Sequence, residues 1–147
     1  MQSHTSHSLE ETKDIAANWL GTISKKYTGR DEALLVGLSG HLGAGKTAFV
    51  KAVAQHLGVT EDVTSPTFVI MKMYPVTHPY WHRLVHIDAY RLERREELEA
   101  LRWEQLIADP HNLILCEWPE NVGLKDFEPS AHLSLEIKEG VHLISIH

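Results

Sequence analysis

Residues 40–47 read Gly-His-Leu-Gly-Ala-Gly-Lys-Thr, "GHLGAGKT". The spacing is G-x-x-x-x-G-K-T. Glycines let the backbone enter left-handed turns, so successive N–H groups can face one concavity. Lys46 can reach into that concavity with its charge, and the Thr47 hydroxyl offers an oxygen to a hard cation. Such a cradle suits a chain of phosphates. It requires a strand before it and a helix after it, because the helix adds its unpaired N–H groups and its dipole. The flanks supply both. "ALLVGLS" (33–39) is a short apolar run of the kind that forms a buried strand. "KTAFVKAVAQHLG" (46–58) puts Phe49, Val50, Val53, Ala54 and Leu57 on one helical face, with Gly58 suited to the C-terminal end. A flexible glycine turn would carry the same glycines; the strand before and the helix after favour the phosphate cradle.

Working outward, "SLEETKDIAANWLGTI" (8–23) opens with a capping-box pair, Ser8 and Glu11. Ile15, Ala16, Trp19, Leu20 and Ile23 then recur at helical spacing, which predicts a helix over about 9–26. "FVIMKMYPV" (68–76), "RLVHIDAY" (83–90) and "NLILCEW" (112–118) read as strands. "RREELEALRWEQLI" (94–107) reads as a helix with Leu98, Leu101 and Ile107 inward. "HLSLEI" (132–137) and "VHLISI" (141–146) alternate around Glu139-Gly140 and predict a hairpin. The first seven or so residues are expected to be flexible. The mixture predicts an α/β fold: a single P-loop NTPase-like domain over 1–147, its mixed and partly parallel sheet flanked by helices.

Composition narrows the function. The 147 residues carry 14 Lys plus Arg against 20 Asp plus Glu, a net charge of -6. Gripping nucleic acid through its phosphates needs a basic face, which this balance disfavours. No apolar run approaches the ~20 residues of a membrane span. The polar, acidic start "MQSHTSHSLEETKD" reads as neither a signal nor a transit peptide. The single cysteine, Cys116, excludes an internal disulfide framework, reads as packed rather than reactive, and fits a reducing cytoplasm, the expected location.

A phosphate cradle needs carboxylates for Mg²⁺ and for the attacking water. Two apolar strands end in one: "LVHID" at Asp88 and "LILCE" at Glu117. That ending places each acid at the carboxyl edge of the sheet, beside the loop. The N-K-x-D segment usual for guanine recognition is absent, which favours adenine. The expected ligands are ATP and Mg²⁺. His78, His82 and His86 stand four residues apart, a helical zinc spacing. Pro79 and the strand that follows argue against a helix there, and with it against a zinc site.

Four blocks, "GHLGAGKTAFVKA", "TSPTFVI", "HIDAYRL" and "CEWPE", occur in the order and spacing of one family. Over residues 8–138 the chain resembles the TsaE (formerly YjeE) P-loop ATPases of bacterial tRNA threonylcarbamoyladenosine synthesis. The resemblance implies nucleotide contacts along Gly40, His41, Leu42, Gly43, Ala44, Gly45, Lys46, Thr47 and Ala48. It implies that Thr47 and Glu117, with Asp88, hold Mg²⁺, and that Asp88, Glu117 and Lys46 serve hydrolysis. Thr64, Ser65 and Thr67 would form a switch-like loop sensing the γ-phosphate. Trp118 would lie near the nucleotide, and Thr12 matches a family position near the base. The implied partners are the threonylcarbamoyl transferase TsaD and its paralogue TsaB, with tRNA engaged only indirectly and no membrane. ATP binding and slow hydrolysis would drive or reset that complex as it modifies the adenosine beside the anticodon of tRNAs reading ANN codons. Two other readings compete: a nucleotide-dependent sensor or scaffold without significant hydrolysis, and a small-molecule kinase. No lid with clustered arginines follows the core, as a kinase would want. One residue departs from the family: His41 stands where Asp is usual. It falls among the free positions of the loop, so phosphate binding should survive.

Overall fold

The computed structural model describes residues 2–27, 29–41, 43–61, 63, 71–89, 96, 99–100, 102–117 and 129–147. Within them the order is β1 (Gln2–Ser6), α1 (Leu9–Tyr27), β2 (Leu34–Ser39), α2 (Lys46–His56), β3 (Met71–Pro75), β4 (Arg83–Asp88), α3 (Trp103–Ala108), β5 (Asn112–Glu117), β6 (Ala131–Lys138) and β7 (Val141–Ile146). The strands form one sheet in the order β1-β7-β6-β2-β5-β4-β3. Strands β6, β2, β5 and β4 run parallel, and β7, β1 and β3 are antiparallel to their neighbours. This is the mixed α/β sheet expected from the sequence.

Strands β2, β4 and β5 are largely apolar on both faces because helices cover both. Leu34, Val36, Leu38, Leu84, Leu113 and Leu115 pack under α1 and α2, where Trp19 meets Phe49 edge-on at 5.4 Å. On the opposite face Leu35, Val85, Ile87, Ile114 and Cys116 pack with Trp103 and Leu106 of α3. Cys116 is therefore a buried core residue, as its neighbours in the sequence indicate. None of the described helices is long and apolar enough to cross a membrane.

The structure differs from the sequence reading at two places. Gln2–Ser6, read as a flexible end, pair antiparallel with β7 from Gln2↔Ile146 to Ser6↔His142. Polar side chains gave no strand signal; main-chain bonding to the edge of β7 and the buried Ser6 hydroxyl hold the segment. The helix expected over 94–107 is interrupted: Glu96 and Glu99 are helical, Arg102 takes φ 58°, a left-handed conformation that no right-handed helix continues through, and α3 runs from Trp103. Leu98 and Leu101 lie outside the described residues, and Ile107 is partly buried. The hairpin is as expected: Glu139 (φ 54°) and Gly140 (φ 77°) are both left-handed, the signature of a two-residue turn whose twist suits a hairpin.

Candidate functional site

Parallel register sets one row of residues across the sheet. Leu38 of β2 stands opposite Glu117 of β5, and Glu117 stands opposite Asp88 of β4. The chain leaves β2 two residues beyond Leu38, at Gly40, and returns as α2 at Lys46. The two acids and the glycine loop thus share the carboxyl edge of the parallel strands, where ligands of open α/β sheets bind.

The loop is shaped by glycine where glycine is required. At Gly40 (φ 151°) a Cβ would stand 2.2 Å from the carbonyl oxygen of Leu135 on β6. Gly45 (φ 98°) is the N-cap of α2; a Cβ there would meet the His142 ring at 3.2 Å. No side chain caps α2, so the first-turn N–H groups face the loop. Ala44 N–H donates to the His41 carbonyl at 3.0 Å and closes the turn. His41 itself is exposed, while Thr47 and Ala48 are partly buried at the start of α2.

Two charged side chains are buried at this edge. Lys46 is 4% exposed and its ammonium donates to the Gly40 carbonyl across the loop. Glu117 is also 4% exposed, and its Oε2 accepts from His86 Nε2 at 2.5 Å. Buried charge is costly and is kept where binding or chemistry uses it. Asp88, next along the row, is half-buried.

A cavity of about 230 Å³ opens beside the loop. Ala44, Gly45 and Ala48 form one wall; Leu135, His142 and Ile144 of the β6–β7 hairpin form a second; His7, Ser8, Leu9 and Thr12 form a third. The third wall is built by α1's capping. Ser8 Oγ accepts the Glu11 N–H at 3.1 Å, and Glu11 Oε2 accepts the His7 N–H at 2.7 Å. That backbone hydrogen bond, followed by one from the His7 ring, holds the Glu11 carboxyl below its usual range. Deeper in, Ser6 Oγ donates to the Ser8 carbonyl at 2.8 Å and lies 2.7 Å from Thr12 Oγ1. Ser6 has one hydroxyl hydrogen and has used it, so Thr12 donates to Ser6. Thr12 therefore turns only lone pairs toward any ligand in the cavity.

Of the residues expected from sequence, the structure brings together Gly40, His41, Gly43, Ala44, Gly45, Lys46, Thr47, Ala48, Asp88 and Glu117 at one sheet edge, with Thr12 in the adjoining cavity wall. Leu42, Thr64, Ser65, Thr67 and Trp118 lie outside the described residues. His142 was missed. Its ring lies 3.2 Å from the Ala44 carbonyl and joins the hairpin to the loop, and only its place in an alternating strand distinguished it. The three spaced histidines go separate ways. His78 bonds Ser24, His82 stacks on His111 at 4.3 Å, and His86 binds Glu117.

The family model described as threonylcarbamoyl adenosine biosynthesis protein TsaE matches residues 6–143. The tRNA threonylcarbamoyladenosine biosynthesis protein TsaE of Rickettsia prowazekii is 31% identical over 98% of this chain and 93% of its own length. Its Streptomyces coelicolor counterpart is 45% identical over 58% of this chain and 57% of its own. The Mycobacterium bovis protein of the same name is 34% identical over 74% of this chain, and the match spans 66% of that protein. Among solved structures, Bacillus subtilus YdiB matches with a TM-score of 0.65 and 25% identity, over 99% of this chain and 83% of its own. With the glycine loop, the acids at the sheet edge and matches of this extent, the chain belongs to the TsaE family.

Proposed function

We propose that this chain binds ATP with Mg²⁺ and hydrolyses it slowly, in service of the complex that makes threonylcarbamoyladenosine in tRNA. The observation that carries the reading is the pair of buried charges at one sheet edge: the Lys46 ammonium inside the loop and the Glu117 carboxylate beside it. An ammonium curled against its own loop carbonyl is placed to exchange that contact for phosphate oxygens. The Thr47 hydroxyl and the Glu117 and Asp88 carboxylates are hard oxygen donors of the kind Mg²⁺ takes. When bound, Mg²⁺ would neutralise the charge of the phosphates. Lys46 and the first-turn N–H groups of α2 hold the phosphates, and Asp88 and Glu117 serve hydrolysis.

The side cavity suits the base. Its volume is below the roughly 300–1,000 Å³ of sites that enclose a whole drug-sized ligand, so it takes one end of a nucleotide while the loop takes the other. Thr12 presents acceptors there. Adenine offers an exocyclic amine that donates, whereas guanine offers a carbonyl in the same position that cannot.

By family, the partners are the transferase TsaD and its paralogue TsaB, with tRNA engaged only through them. A net charge of -6 suits docking on protein better than gripping tRNA. The cytoplasm is the compartment this role requires. Phosphate release from Mg-ATP, measured alone and with the two-protein transferase, tests the proposal. The expected result is slow release that rises with the partners and is lost in Glu117→Ala. Nucleotide-dependent binding to the partners without any release would make the chain a sensor instead.

A further inference from the structure

His86 of β4 is fully buried, and its Nε2 stands 2.5 Å from Glu117 Oε2 on the neighbouring strand. Its other ring nitrogen, Nδ1, is equally buried and has no hydrogen-bond partner among the described residues. The two nitrogens decide where the proton is. A carboxylate accepts, so a ring hydrogen sits on Nε2 and points at Glu117. On this face of the sheet, Leu84 precedes His86 on β4, and Leu113 and Leu115 precede Glu117 on β5, all fully buried. An imidazole with one unsatisfied nitrogen is a poor packing choice in such a row, where another aliphatic side chain would fit. Among the described residues, its ring's single hydrogen bond is the one it makes with Glu117. That contact occupies Oε2, and among the described residues Glu117 Oε1 makes no side-chain hydrogen bond.

We infer that His86 is a positioning residue: its Nε2–H fixes the Glu117 carboxylate so that one oxygen is held and the other is left for the Mg²⁺ that accompanies the nucleotide. The inference rests on the reading of Glu117 as a metal ligand given above. Groups that hold a metal ligand in place, without touching the metal, typically matter by one to two orders of magnitude in metal affinity.

Calorimetric titration of ATP at a series of Mg²⁺ concentrations, and in EDTA, separates the possibilities. In the wild type, ATP affinity rises with Mg²⁺. In His86→Leu the Mg²⁺ concentration for half the effect increases roughly 10- to 100-fold, while ATP affinity in EDTA stays near wild type. His86→Gln carries an amide N–H on a side chain of matching reach and restores most of the loss. A general structural defect would lower both affinities and show no such rescue. Wild-type binding that ignores Mg²⁺ would overturn the metal reading itself. A Mg²⁺ response in the wild type that persists unchanged in folded His86→Leu would overturn the positioning role alone. Nitrogen-15 NMR of the histidine rings needs no substitution: the expected signal is the Nε2–H tautomer for His86, and an Nδ1–H tautomer would refute the inference even if both variants fail to fold.

Discussion

The ammonium of Lys46 donates to the carbonyl oxygen of Gly40, six residues earlier in the chain, and so ties the last turn of the glycine loop to its first. The contact holds a buried charge in the concavity that the loop encloses. Replacing Lys46 with Ala removes the charged donor proposed for phosphate, and a charged hydrogen bond is worth roughly 10- to 100-fold in affinity. It also removes a buried ammonium, whose desolvation costs stability. ATP affinity is therefore expected to fall by that factor in Lys46→Ala while the melting temperature moves by no more than a few degrees. Calorimetry and thermal unfolding of the same preparation check both halves.

Gly40 and Gly45 are unequal. A Cβ at Gly40 would press on the Leu135 backbone, which cannot swing aside, whereas at Gly45 it meets the edge of the His142 ring, which can. Gly40→Ala is expected to cost about 2–4 kcal/mol of stability and to disturb the junction of β2 with the loop. Gly45→Ala is expected to cost about 1–2 kcal/mol, chiefly the strain of a left-handed residue with a side chain. Urea unfolding of the two variants gives the comparison; an equal loss would remove the Leu135 contact from the explanation.

Thr12 donates to Ser6 and keeps only lone pairs for a ligand. Thr12→Val keeps the shape of the side chain and removes those acceptors. ATP affinity should fall roughly fivefold, the worth of one hydrogen bond, and GTP affinity should not. Competition between the two nucleotides reads the ratio directly, and an unchanged ratio would take Thr12 out of base selection.

His78 links α1 to the turn before β4. Its Nδ1 accepts the N–H groups of Tyr80 and Trp81 at 3.0 and 3.2 Å, and its Nε2 lies 3.2 Å from Ser24 Oγ. Burial lowers its pKa from the ordinary 6.5. The unfolded chain therefore takes up this proton first as pH falls. The stability from a neutral His78 is full above pH 6.5 and is lost as pH drops toward the lower folded value. Protonation at Nδ1 would also displace both N–H donors. His78→Asn keeps an acceptor and cannot titrate, so the melting temperature should fall less steeply below neutral pH than in the wild type. Parallel curves for the two proteins would contradict this.

The side chain of His41 is exposed. Its main-chain carbonyl accepts the Ala44 N–H, and any residue provides that. His41→Asp places a carboxylate at this exposed position. ATP affinity and Mg²⁺ dependence are expected to change by no more than about twofold, as for other surface substitutions. A large gain in Mg²⁺ affinity would show that the histidine alters the metal site.

Much of this arrangement is legible in the sequence because it rests on local rules. Gly40–Thr47 encodes its turn by spacing. β2, β4 and β5 are apolar on both faces, and Asp88 and Glu117 end their strands, so a parallel register brings them into one row. What escaped depends on long-range partners. The polar segment Gln2–Ser6 becomes a strand only because β7 offers an edge. His142 reaches the loop from 98 residues away, a distance no local pattern encodes. The turn of Arg102 into left-handed space interrupts a helix whose periodicity continues through it.

The most direct test of the whole account is a calorimetric titration of ATP into the wild-type protein in the presence of Mg²⁺. One saturable site per chain is expected, with weaker binding of GTP and an affinity roughly 10- to 100-fold lower in Lys46→Ala. Absence of saturable binding, or equal binding by Lys46→Ala, would contradict the assignment of the Gly40–Thr47 loop as a phosphate cradle.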